Sequence, residues 1–317
     1  MKASRKLSAA LALSMAVSFT ATSSLAFAEG VNVNVNINNT TQQQPAALVQ
    51  GGDVDWTNLQ MIVAVGVGSA PEGMAAGRAN ALARRAALVD AQRVLAEMIH
   101  GVQVDSETTV DMLEVQSDVI RTKVSALVRG YQVMGEEIGA DGLYYVKIGV
   151  PLFGNNSLAS IVIPEVKPQA APEPIREIDT SKVSITFDEM DSLRAENYTG
   201  LVIIAANMNL MPTYSPVIYD MDGNAIYGIK NVDSDFAISK GMVEYANSPD
   251  KPFDLAETNY GGRVGNHPLV INAEAVRGGS NSVNPVNIVI TKDDAERVII
   301  ANKSSQFLEH CAVVFVR

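Results

Sequence analysis

The sequence predicts an α+β protein of two modules, each a small sheet packed by one or two helices, joined by a Pro-rich linker. Three observations carry this. Strand-like and helix-like segments alternate irregularly, without the regular β-α-β order of a parallel α/β fold. One long segment, Glu72 to Ile99, has helical rather than strand periodicity. A stretch holding Pro164, Pro168, Pro172 and Pro174 divides the rest in two.

The 317 residues suggest about two domains once a targeting segment is set aside. Residues 1–28 read as a secretory signal. Lys2, Arg5 and Lys6 make a basic start, Leu7 to Phe19 is apolar, and Ala26-Phe27-Ala28 places small residues where cleavage occurs. The expected product is an exported chain beginning near Glu29, periplasmic or otherwise held in the cell envelope, with no transmembrane span. Cleavage moves the formal charge from −11 to −14, because Lys2, Arg5 and Lys6 leave with the signal. Such an acidic chain is a poor phosphate binder, so no nucleic-acid partner is expected.

Residues 29–55 read as an Asn/Gln-rich low-complexity tether. Within it Val31, Val33 and Val35 alternate with asparagine, so they are also candidates for adding a strand to a partner's sheet edge.

The first module spans residues 56–163. Gln60 to Gly68 reads as a strand. On the following helix Ala83, Ala87, Leu88, Ala91, Val94, Leu95 and Met98 share one face, and Arg78, Arg85, Asp90, Arg93 and Glu97 the other. Val102 to Val110 is strand-like, Ser117 to Leu127 is a second helix, and Val128 to Glu137 and Leu143 to Pro151 form a strand pair.

Residues 164–181 form the linker, and residues 182–317 the second module. There Val183 to Phe187, Gly200 to Ala206, Leu269 to Ala275, Val286 to Ile290 and Cys311 to Val316 are predicted strands. Val217 to Tyr219 and Ala225 to Gly228 flank an Asp-Gly hairpin signal. Asp235 to Ala246 is predicted helical, as is Lys292 to Asn302 behind the N-cap Thr291.

Several motifs recur in order along the first module. They are Ala83-Arg84-Arg85-Ala86-Ala87, Asp90-Ala91-Gln92-Arg93, Leu95-Ala96-Glu97 and Gly101-Val102, then Ser117-Asp118-Val119-Ile120, Val128-Arg129-Gly130-Tyr131 and Tyr144-Tyr145-Val146-Lys147-Ile148-Gly149-Val150-Pro151-Leu152. Over about residues 60–154 the chain resembles the LPP-twenty (LPP20) lipoprotein family and the related N-terminal domain of flagellar assembly protein T. The resemblance implies a small α/β module of envelope proteins, some at the outer membrane or the flagellar base, and no catalytic residues. The chain departs from the lipoprotein members in having no cysteine near the cleavage site. Its single cysteine, Cys311, sits in a predicted buried strand.

No catalytic constellation emerges, and no cofactor is expected. Gly66-Val67-Gly68 lacks the third glycine of a dinucleotide fingerprint, since Pro71 stands there, and reads instead as a tight strand-to-helix turn. Asp220, Asp222 and Asn224 offer alternate oxygens, making them weak metal candidates, but the twelve-residue calcium loop is not completed. His100, His267 and His310 fit no metal spacing. Ser248-Pro249-Asp250-Lys251 matches S-x-x-K, but Pro249 places it in a turn. Arg84 falls within the apolar arc of its helix, which makes it a candidate for pairing with a carboxylate of the fold or of a partner.

These readings add up to an exported, non-enzymatic envelope protein. It is expected to serve as a structural or protein-interaction module in a flagellum-associated or outer-membrane-associated assembly. Its partners would be envelope or flagellar-base proteins, or further copies of itself. The alternatives are a periplasmic ligand- or glycan-binding protein and an unrecognised hydrolase.

Overall fold

A computed structural model describes residues 48–167, 171–247 and 261–317. The signal, Val31, Val33, Val35, the S-x-x-K motif and residues 168–170 of the linker lie outside the described residues. The described residues fall in one compact unit. They contain eight α-helices and three four-stranded sheets, so the α+β class holds.

The first sheet is antiparallel, in the order β1 (Gly51–Asp55), β2 (Met61–Gly68), β4 (Tyr144–Pro151), β3 (Gln132–Ile138). Helix α1 (Ala76–His100) crosses one face. Its buried side is Ala83, Ala87, Ala91, Val94, Leu95 and Ile99, close to the arc given by its 3.6-residue period. The Gly66-Val67-Gly68 reading needs correction. Both glycines lie inside β2 rather than in a turn. A Cβ on Gly66 would overlap the backbone of Ala87 and Ala91, and one on Gly68 that of Ala83 and Ala87. Two missing side chains facing three alanines let helix and strand approach closely.

Helices α2 (Val110–Gln116) and α3 (Asp118–Arg129) follow. Thr109 caps α2 by accepting from Met112 N. The strand expected over Val102 to Val110 is reduced to one bridge, Gln103 to Thr109. β1 takes up residues 51–55, which composition had grouped with the tether, by pairing along β2.

Helix α4 (Ala159–Val166) carries Pro164. Residues 171–181 form neither helix nor strand, yet the chain there is held. Glu173 N donates to Lys230 O (2.8 Å), and Ile175 and Ile178 pack on the core.

Val183 to Phe187, expected as a strand, instead leads into helix α5 (Phe187–Ala195). Thr186 caps it by accepting from Glu189 N, and Asp188 and Glu189 occupy the first turn, where the helix dipole favours acids. The second sheet is all parallel: β8 (Glu244–Ala246), β12 (Val313–Val316), β5 (Gly200–Ile204), β9 (Pro268–Asn272). The third is mixed: β10 (Ala275–Arg277), β11 (Asn287–Ile290), β6 (Ile218–Asp220), β7 (Ala225–Tyr227). The helix expected over Asp235 to Ala246 stops early. α6 (Ser234–Lys240) ends at Gly241, whose φ of 77° favours glycine, and the chain continues as β8. The short α7 (Gly261–Val264) precedes β9, and α8 (Lys292–Ser305) is capped by Thr291, as expected.

Candidate functional site

Arg84 lies on the exposed flank of α1 and reaches β3. Its Nε donates to Glu136 Oε2 (2.7 Å) and its Nη2 to Glu136 Oε1 (2.5 Å), a two-pronged fork on one carboxylate. Tyr144 OH adds a third hydrogen bond to Oε2 (2.8 Å). The Arg84 hydrogen bonds hold the Glu136 carboxyl below its ordinary pKa. The fork ties the helix to the sheet and consumes the charge of Arg84 within the fold.

Asp220 ends β6 with its side chain turned inward, 5% exposed. Its Oδ1 accepts from Asn224 N and its Oδ2 from Asn224 Nδ2, each at 2.8 Å, and Arg176 Nη1 stands 3.3 Å away. Burial alone would raise its pKa, but the Asn224 hydrogen bonds and the Arg176 charge outweigh that and lower it. The Asp220 oxygens are thus engaged by protein donors, and Asp222 and Asn224 are exposed. Among the described residues no group of three or more His, Cys, Asp or Glu side chains is placed to hold a metal.

Two histidines meet carboxylates. His267 Nε2 lies 2.6 Å from Glu196 Oε2, and its ring stacks on Tyr198 at 5.1 Å between centroids. His100 Nε2 is 3.4 Å from Glu114 Oε1 without making a hydrogen bond. Burial raises the Glu114 pKa. His267 N donates to Thr199 Oγ1 (3.0 Å) through the backbone, but among the described residues no serine, threonine or cysteine hydrogen-bonds either imidazole ring, as an activated nucleophile would. Cys311 is fully buried just ahead of β12, and burial pushes its thiol pKa up, the opposite of an activated thiolate.

One cleft was not legible in the sequence. About 320 Å³ in volume, it is lined by Asp53, Trp56, Met98, Gln103, Met211 and Arg317, among others. Arg317 directly follows β12, so the cleft opens at the carboxyl end of a strand in the parallel sheet, where open α/β sheets bind ligands. Among the described residues, Arg317 Nε is buried without a hydrogen-bond partner.

Several large apolar side chains remain on the helix surfaces. Val115 on α2 is 73% exposed and Val119 on α3 62%, with Met112 beside them in sequence; on α1, Leu82 and Val89 also face outward. No described helix is long and apolar enough to cross a membrane.

Family models match two separate parts of the chain. Residues 200–317 match the model of the second domain of Treponema pallidum Tp0624. A search of curated proteins returned no match. Of the resemblance seen in the sequence, the LPP20 part holds at the level of a family model, residues 64–151 matching the LPP20 lipoprotein family, whereas the part that names flagellar assembly protein T is not confirmed.

Proposed function

We propose that this is an exported, non-enzymatic envelope protein whose work is protein–protein contact, within an outer-membrane-associated or flagellum-associated assembly. The observation that carries this reading is the set of apolar side chains left outward on α1, α2 and α3 of the LPP20-like segment, Val115 and Val119 above all. Exposed apolar side chains mark contact sites when they lie close together, as Met112, Val115 and Val119 do along the chain. The groups that could have served catalysis support it too, since Arg84, Asp220 and Cys311 are each absorbed by the fold. The signal-like N-terminus supports export, and the lack of a cysteine near Ala28 argues for placement by protein contacts rather than by an acyl chain. The test is gene deletion, complemented with wild type or with Val115→Glu and Val119→Glu together. Envelope integrity, motility and co-purifying envelope proteins should change on deletion and return only with wild type. If deletion changes none of them, the reading fails.

A second reading, a small-ligand- or glycan-binding protein, is favoured by the cleft at Arg317 and Trp56. A thermal-shift screen with glycans and peptidoglycan fragments separates the two, because a ligand bound only by the folded state raises the melting temperature.

A further inference from the structure

Helix α1 carries an outward stripe distinct from its buried face. Arg78, Leu82, Ala86, Val89 and Arg93 follow one another at spacings of three or four residues, so they line up along one side of the helix. Leu82 is 40% exposed and Val89 63%. Together with Arg85, Ala86, Asp90 and Arg93 they line a cleft of about 480 Å³. Arg93 is engaged by Asp90 and Glu97, whereas Arg78 and Arg85 form no ion pair among the described residues. The stripe is therefore an apolar row bordered by uncompensated positive charge, in a chain whose net charge is −11.

A surface of opposite character stands elsewhere in the same compact unit. Phe187, the first residue of α5, is 76% exposed, the largest exposure of any described aromatic side chain. Asp188 is exposed beside Phe187, and Asp191, one helical turn on, has a side chain 79% exposed although Arg194 Nη1 stands 3.3 Å from it. The inward side of the helix is held by Met190 and Leu193, so packing of α5 does not need Phe187. An aromatic anchor entering an apolar slot, with charge at the rim, is the usual make-up of an interface hot spot.

We propose that the occupant of the α1 stripe is a second copy of this chain: Phe187 of one copy seats against Leu82, Ala86 and Val89 of the next. Asp188 then faces Arg78 and Arg85, with the exposed carboxylate of Asp191 shared between them and Arg194. Charge selects this pairing, because most other surfaces of two acidic copies repel one another. Knob and slot lie on different helices, so the contact is head-to-tail. It leaves a free knob and a free slot on every pair, and growth continues until a ring closes or a filament forms. This inference rests on reading the chain as an interaction protein and names the partner.

The experiment is sedimentation velocity of the exported chain, from micromolar to high micromolar concentration and at low and high salt. Wild type should form species larger than a dimer, weakened by salt. Val89→Asp and Phe187→Ala should each weaken assembly by about tenfold or more, with circular dichroism confirming that both stay folded. An equal mixture of the two variants should recover a dimer and nothing larger, because only one intact knob meets one intact slot. A wild type that is monomeric throughout, variants that still assemble, or a mixture that stays monomeric would each overturn the proposal. A monomeric wild type that still captures an envelope partner removes this contact and leaves the interaction reading intact.

Discussion

Trp56 packs edge-on against Tyr214, with ring centroids 4.9 Å apart and planes at 64°. Phe153 and Tyr245 close around the same indole at 6.0 and 5.8 Å. Tyr214 OH donates to Leu152 O (3.0 Å), just beyond β4, while Tyr245 lies in β8. The aromatic cluster therefore joins the antiparallel sheet to the parallel one, and it holds the only tryptophan of the chain. Trp56→Ala should cost about 3–5 kcal/mol, the usual range for removing a large buried ring. Urea unfolding followed by far-UV circular dichroism measures it. In wild type, tryptophan fluorescence and circular dichroism should report the same midpoint, because the indole touches both parts.

Gly66→Ala should destabilise the chain by about 1–3 kcal/mol or more, since the added methyl falls on the backbone of Ala87 and Ala91 and α1 has to move off the sheet. Gly73→Ala tests a different cause. Its φ of 79° disfavours an L side chain, but no atom stands near its Cβ, so the cost should be smaller. A thermal melt of both variants checks the order.

Asp220→Asn should cost about 1–3 kcal/mol, because an amide in that place turns a donor toward Asn224 or Arg176 and leaves a buried group unpaired. The Asp220 pKa is lowered by folding, so its contribution is complete above the unfolded carboxylate value near 3.8 and disappears as pH falls through the folded one. The variant should lose this acid dependence in a pH series of melts. Calcium should leave the melting temperature of wild type unchanged, since the Asp220 oxygens are already taken by protein donors.

Glu114 carries the opposite sign. Folding raises its pKa, chiefly by burial, so its favourable contribution is present below the unfolded value near 4.5 and is lost as pH rises through the folded one. Glu114→Gln should raise the melting temperature at neutral pH and give no gain below the unfolded value. A lower melting temperature at neutral pH would mean that attraction to His100 outweighs the burial penalty.

Much of the fold is legible in the residues themselves. The alanine-rich period of α1, the Asp-Gly hairpin at residue 223 and the Thr291 cap all act within a few residues of chain, which is the range that propensity and capping cover. Val183-Ser184-Ile185-Thr186-Phe187 has the β-branched composition of a strand, yet Thr186 with Glu189 three residues on is the start signal of a helix, and the cap prevailed. The helix expected over Asp235 to Ala246 ran through Gly241, where the backbone turns to positive φ.

The sequence by itself determined the class, most elements, the family resemblance and the absorption of Cys311 into the core. Only the tertiary structure decided that Gly66 serves helix packing, that Arg84 meets Glu136 across 52 residues of chain, and that Trp56 sits at the seam between two sheets. Periodicity records which face of an element is buried. It does not record what that face is buried against, because the partner is brought there by chain crossings that no local pattern encodes.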